Sequence, residues 1–362
     1  MELLEMEVRS TRTIDVPGMN CDDDDDKEEK FEDIDQLSPL EEFGQDVMNT
    51  MLSFLYLDEF QTLSTVSKRM NDAVTYTSHI HMSDAAIPQS QHVQQQQQQQ
   101  HRRSEAHLTE DGLRKLLRRF RSLNVLTLYG LAPVGDHLFS ILNESPTAHT
   151  LHRLSLHGCC LSYWCPTTLQ LQNLTHVTVT GGSIRVAFGS FFASSSDHLQ
   201  SLSIGQCSSL RDENVTDMVV GLQDQLQQLT LHQCLRVKKP TLRFSRLTQL
   251  NLLGCFSLSD LPDFDCPSLT LLVLSFCFQL DGSVIQRVVN RLPQLEHLGL
   301  VKCPGLIRLE LTHNPLLQRL NVSLSNNLQY LQLHCPKLVQ LEVRNNNNNN
   351  SLCAIYTVPS PI

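Results

Sequence analysis

The sequence predicts an α/β fold, a horseshoe-like solenoid of parallel strands preceded by a small all-α segment. Three observations predict the solenoid. The apolar pattern Leu-x-x-Leu-x-Leu recurs ten times at spacings of 21 to 28 residues. A cysteine follows six of those copies at one fixed offset, and two homopolymer tracts, Gln94 to Gln100 and Asn345 to Asn350, bracket the repeating region.

Residues 1–42 hold 16 Asp/Glu against 4 Lys/Arg, whereas the remaining 320 residues hold 22 against 24. A segment so charged and so poor in apolar residues has nothing to bury and reads as a disordered acidic tail. The run Asp22 to Asp26 reads as solvated, because contiguous carboxylates repel one another and do not converge on a cation. The near-neutral body lacks the basic field of a nucleic-acid or anionic-membrane binder, so neither partner is expected. No N-terminal segment joins positive charge to an apolar core, and the longest apolar run is about half of what a bilayer span requires. A cytoplasmic and/or nuclear location is therefore expected, with the twelve cysteines kept as thiols.

Polar composition marks residues 77–107 as a polyglutamine-containing linker and 345–362 as a polyasparagine tail. A flexible linker of about thirty residues spans on the order of 30 Å. Between them, over 108–344, lie the repeats, starting at Leu123, Leu151, Leu174, Leu199, Leu226, Leu247, Leu269, Leu295, Leu317 and Leu338. Their first, fourth and sixth positions are Leu, Val or Ile in every copy, and spacing of this kind is that of leucine-rich repeats. Period two makes the central Leu-x-Leu a short strand with alternate side chains on one face. A single such strand cannot bury its leucines, and ten stacked in parallel can.

Cys159, Cys207, Cys234, Cys255, Cys277 and Cys303 occupy the ninth position. A zinc site needs Cys or His pairs at close spacing, and these recur once per coil. They read as small buried wall residues that carry a weak donor. Cys159, Cys160 and Cys165, with His152 and His157 upstream, come nearest to a cluster but fit no zinc template. No metal and no small-molecule cofactor is expected. No nucleophile elbow, phosphate loop or metalloprotease motif occurs, so no catalytic residue is assigned and the chain reads as a non-enzyme.

Leu306-Leu309-Leu311 and Leu328-Leu331-Leu333 repeat the triplet on a second rhythm of eleven, which places extended segments on the outer side of some coils. Asp212–Leu222 and Asp281–Leu292 instead read as outer helices, with acidic starts and three-to-four spacing. Thr109–Phe120 reads as an N-terminal capping helix whose Arg114, Lys115, Arg118 and Arg119 face solvent.

Upstream, residues 43–74 read FGQDVMNTMLSFLYLDEFQTLSTVSKRMNDAV. Phe43-Gly44, Val47, Met51, Leu52, Ser53, Phe54 and Leu55 match the first helix of an F-box, and Leu57, Phe60, Leu63 and Val66-Ser67-Lys68-Arg69-Met70 match the second, with no gap. Gly44 stands where that family has proline, and Met70 where it has tryptophan. The whole resembles an F-box protein with cysteine-type leucine-rich repeats, with the F-box over 43–76. The resemblance implies a substrate receptor of an SCF-type cullin-RING ubiquitin ligase. Its F-box would bind a Skp-type adaptor, and through it a cullin, by Phe43, Val47, Met51, Leu52, Leu55, Leu57, Phe60 and Leu63, while the repeats bind a target for ubiquitination and proteasomal degradation. A leucine-rich-repeat scaffold unlinked to ubiquitin shares the same solenoid and stays open.

If positions one, four and six face inward, positions three, five and seven form the opposite, concave face. Most are polar, and Leu253, Leu271, Val273 and Val301 then form one apolar patch. Clustered exposed apolar groups mark interaction sites, so these four are the expected target contacts, with the C-terminal tail as the other occupant that fits.

Overall fold

The computed structural model describes residues 79–83, 110–130, 137–159, 171–181, 198–344 and 353–356, all inside the compact unit that spans 43–362. Every expected adaptor contact, Phe43 to Leu63, lies outside the described residues.

Eleven strands form one parallel sheet. Repeats one to five supply Val125–Tyr129, Arg153–His157, His176–Thr180, Ser201–Gly205 and Gln228–His232. Repeats six to ten supply the shorter Gln249–Asn251, Leu271–Val273, His297–Gly299, Arg319–Asn321 and Gln340–Glu342. Register follows the repeat without slippage, so that Leu250, Leu272 and Leu298 pair in line. Through the first nine repeats, positions one, four and six are all buried. Leu338, Leu341 and Val343 of the tenth are only partly so, because Gln340–Glu342 ends the sheet. The fold is an α/β solenoid of parallel strands, as the leucine period implies.

The eleventh strand was not expected. His79–Ser83 pairs in parallel with Val125–Tyr129 and sets Ile80 opposite Leu126, where it is buried. This strand lies within the stretch read as linker, and it changes two assignments. The parallel sheet starts one strand earlier, at His79. The helix Glu110–Leu117, read as a cap, is then the outer side of a strand–helix–strand coil. It buries Leu113, Leu116 and Leu117, and its Arg114 pairs with Glu144 just beyond the neighbouring helix Leu138–Asn143. Likewise Cys353–Tyr356, inside the stretch read as tail, extends the outer sheet by pairing with Tyr330–Leu333.

The outer side otherwise follows the second rhythm. Arg308–Leu311 and Tyr330–Leu333 pair with Leu309 opposite Leu331, and Leu242–Arg243 pairs with Phe264–Asp265. Helices occupy Asp212–Leu222 and Gly282–Val289. The second begins where Asp281 accepts a hydrogen bond from the Ser283 N–H at 2.7 Å, a standard N-cap. Asp212 instead reaches the next coil and accepts from the backbone N–H groups of Lys238 and Lys239.

The ninth-position thiols close each coil against the one before. Cys255 donates to the Leu231 carbonyl at 2.9 Å, Cys277 to Leu252 and Cys303 to Leu274 at 3.3 Å, each acceptor being the sixth position of the preceding repeat. Ser325 holds the ninth position of repeat nine and donates to Leu300 at 2.8 Å, the same bond made by oxygen. Cys207 departs in that its shorter contact is to Gly205 in its own coil at 3.3 Å, while across the stack it reaches the Gly181 carbonyl at 3.6 Å. On the outer rhythm, Asn314 fills the ninth position after Leu306 and donates to the Val289 and Leu292 carbonyls. Burial pushes the Cys207 and Cys255 thiols up to about 11 and Cys303 up to about 12. Burial thus favours the neutral, hydrogen-bond-donating thiol at these positions. All the described cysteines with placed side chains are free, and no group of three metal-ligating side chains forms among the described residues.

Position eight is where each coil leaves the sheet. Gly130, Gly158, Gly181 and Gly254 hold it with φ of 66° to 70°, and Gln206, Gln233, Phe276, Lys302 and Leu324 hold it with φ of 53° to 61°. In all nine coils its N–H donates to the seventh-position carbonyl of the next coil, as Gly158 does to Thr180 at 2.7 Å and Phe276 to Val301 at 2.8 Å. The left-handed turn aims that N–H along the stack, and the bond holds residues with a side chain in a conformation that costs them roughly 1–2 kcal/mol. A methyl at Gly158 would meet nothing closer than 3.9 Å, so only backbone strain opposes it. Gly158→Ala is expected to lower stability by about 1 kcal/mol, and Gly158→Asn by less, since Asn tolerates this region. Equilibrium urea denaturation of the two variants checks the order.

Candidate functional site: an apolar face and an aromatic rim

The sheet face opposite the core is built by alternation, so its side chains are those of positions three, five and seven. Leu271 and Val273 share one strand, flanked in register by Gln249 and Asn251 on one side and by His297 and Gly299 on the other. Gly299 leaves the flank of Val273 uncovered, since a methyl added there would sit 3.5 Å from the valine. Leu253 and Val301 lie at the seventh position of the two neighbouring repeats. Between them stands buried Ser275, whose hydroxyl accepts from the Val301 N–H at 3.0 Å. The four residues therefore sit around Ser275, Leu271 and Val273 in one strand and Leu253 and Val301 in the coils to either side. All four are half-buried. Asn251 fixes Leu253 by accepting its N–H at 3.0 Å, and Asn321 does the same for Ser323.

More strongly exposed apolar groups lie one step further along the chain, on the rim. Leu235, Phe256 and Phe278 stand at the tenth position of repeats five, six and seven and are 46%, 38% and 37% exposed. Phe256 stacks on Phe278 with ring centroids 5.1 Å apart, and Phe276 meets Phe278 edge-on at 6.4 Å. The Lys302 ammonium lies 5.7 Å from the centroids of both Phe276 and Phe278, within the range of a cation–π contact. These rim residues were missed because the sequence reading followed positions three, five and seven only. Their mark was present: Phe256 and Phe278 are 22 residues apart, one repeat, at the same position.

Two histidines of the sheet face are shifted toward the neutral form. Burial, reinforced by Arg153, lowers the His176 imidazole below its ordinary value, and burial alone lowers that of His232. Both shifts favour the neutral imidazole. The arrangement presents apolar and aromatic side chains on which a bound chain could lie.

No family model matches the chain, and no curated protein matches it. Among solved structures it is similar to the crystal structure of the Rad7 and Elc1 complex in yeast, at 12% identity and a TM-score of 0.35, over 83% of this chain and 80% of that one.

Proposed function

We propose that this chain is the substrate-recognition subunit of an SCF-type ubiquitin ligase. The observation that carries the proposal is the gapless run from Phe43 through Val66-Ser67-Lys68-Arg69 directly upstream of cysteine-type leucine-rich repeats. Residues 43–76 bind a Skp-type adaptor, and through it a cullin, by an apolar helical surface with a few buried anchors. The solenoid face around Leu271 and Val273 binds the target. The chain itself makes and breaks no bond; it raises the effective concentration of the target beside the ubiquitin-charged enzyme. The first strand at His79 follows the F-box by two residues, so the connection between the two binding elements is short rather than some thirty residues long.

The test is a pull-down of the full chain with purified Skp-type adaptor, beside a Leu52→Ala/Leu55→Ala variant and a Leu271→Asp/Val273→Asp variant. The parent is expected to retain the adaptor, and the first variant to lose about thirtyfold in affinity, the effect of removing interface anchors worth about 2 kcal/mol. The second is expected to keep the adaptor and lose the ubiquitinated proteins that co-purify with the parent. A folded parent that leaves the adaptor in solution overturns the ligase reading and leaves a binding scaffold.

A further inference from the structure

Position ten does not need an apolar side chain. Ser208 and Asn326 hold it in repeats four and nine, both exposed. Yet the four repeats between them place Leu235, Phe256, Phe278 and Pro304 there, all exposed. The same coils carry the apolar residues of the adjoining sheet face, Leu253, Leu271, Val273 and Val301. Two apolar rows, neither demanded by the fold at that site, thus run side by side through one set of coils.

Charge on the sheet face and rim of those coils is equally one-sided. The stretches 228–236, 249–257, 271–279, 297–305 and 319–327, which form the sheet face and rim of repeats five to nine, contain no Asp or Glu, while Arg236, Lys302 and Arg319 supply three cations. None of the three forms an ion pair among the described residues. Lys302 is instead held over two phenylalanine rings, its ammonium set at the edge of the apolar row.

We infer that this rim and the face beside it dock an extended acidic segment of a partner protein, with large apolar side chains laid on Phe256 and Phe278 and a carboxylate paired with Lys302. The inference rests on the receptor reading and deepens it by giving the target's recognition element a chemistry. Lys302 turns the stacked rings from a general apolar patch into one that selects carboxylate beside an aromatic or long aliphatic side chain. Arg236 and Arg319, further along the stack, extend the same preference over more than one residue of the bound segment.

Fluorescence anisotropy with the full chain tests this, using a labelled peptide of about twelve residues in which Phe or Leu alternates with Glu, and a twin with Lys in place of each Glu. The acidic peptide is expected to bind at least about tenfold more tightly than its twin. Phe256→Ser/Phe278→Asn should weaken it by about tenfold or more while melting as the parent does, because Ser208 and Asn326 already fill that position in neighbouring coils. Lys302→Glu should erase the preference for the acidic peptide. Equal binding of the two peptides, or parental binding by either variant, would overturn the inference. So would self-association of the parent that is lost with Phe256 and Phe278, since a second copy would then be the occupant. Adaptor retention, measured on the same variants, separates the two readings: a chain that binds the peptide and not the adaptor fails as a ligase subunit only.

Discussion

Raising the pH from 8 to 11 is expected to unfold the solenoid in one steep transition. Burial raises the folded-state thiols of Cys207, Cys255 and Cys335 from their ordinary value near 9 up to about 11, those of Cys266 and Cys303 up to about 12, and those of Cys234 and Cys277 higher still. Above pH 9 the unfolded chain sheds these protons and the folded chain keeps them. The stability they provide is thus complete below about pH 9 and is lost as pH rises toward the folded values. Each thiol removes about 1.4 kcal/mol per pH unit in that window, against a total stability of about 5–15 kcal/mol for a typical domain. Over the two pH units from 9 to 11 each removes about 2.8 kcal/mol, so about two such groups match the lower end of that range and about six the upper. Circular dichroism against pH follows the transition, and thiol reagents should fail to label these cysteines below it. Serine at the ninth position, as Ser325 shows, keeps the carbonyl bond without a group that titrates. Cys255→Ser/Cys303→Ser should therefore flatten the alkaline slope by about 2.8 kcal/mol per pH unit; an unchanged slope would mean that other groups drive the unfolding.

Leu272→Ala is expected to cost about 3–5 kcal/mol, and Leu341→Ala less than half as much. Both occupy the fourth position of their repeats. Leu272 is fully buried between Leu250 and Leu298, where the neighbouring coils are fixed by their own ladders and collapse only partly into the space left. Leu341 lies in the end strand and is half-buried. Urea denaturation compares the two. Coils touch only their neighbours, so the damage should also be local. Amide exchange in the Leu272 variant should quicken first in Gln249–Gly299 and leave Val125–His157 near parental rates. Equal losses for the two substitutions would refute the account.

Much of this was legible in the sequence because burial imposes a period and a period can be counted. The first-, fourth- and sixth-position apolar residues, the outer triplets at Leu306 and Leu328, and the helix Asp212–Leu222 all follow from spacing alone. Features that rest on backbone or on chemical equivalence were not. His79–Ser83 offers Ile80 and Met82 in polar surroundings, too little alternation to count, and it is a strand because Val125–Tyr129 gives it an edge to pair with. The left-handed turn at position eight was hidden because only four of its nine residues are glycine. Ser325 and Asn314 escaped a reading that looked for cysteine, although both make the same kind of donor bond to the preceding coil. At the candidate site, alternation located Leu253, Leu271, Val273 and Val301, but the rings on the rim project from a turn, where no alternation applies.

The place of the glutamine run sets what a change in its length can do. Homopolymer tracts lengthen and shorten readily, and a tract between two binding elements would stretch or shrink the distance across which one presents to the other. In sequence, Gln94 to Gln100 lie between the first strand, His79–Ser83, and the helix Glu110–Leu117, so the loop of chain that contains the tract starts and ends in one coil. Doubling such a loop costs only about 0.6 kcal/mol of closure entropy. A change in glutamine number therefore alters the chain between two elements of the first coil, while the strand stack from Val125–Tyr129 to Gln340–Glu342 is built by residues downstream of it.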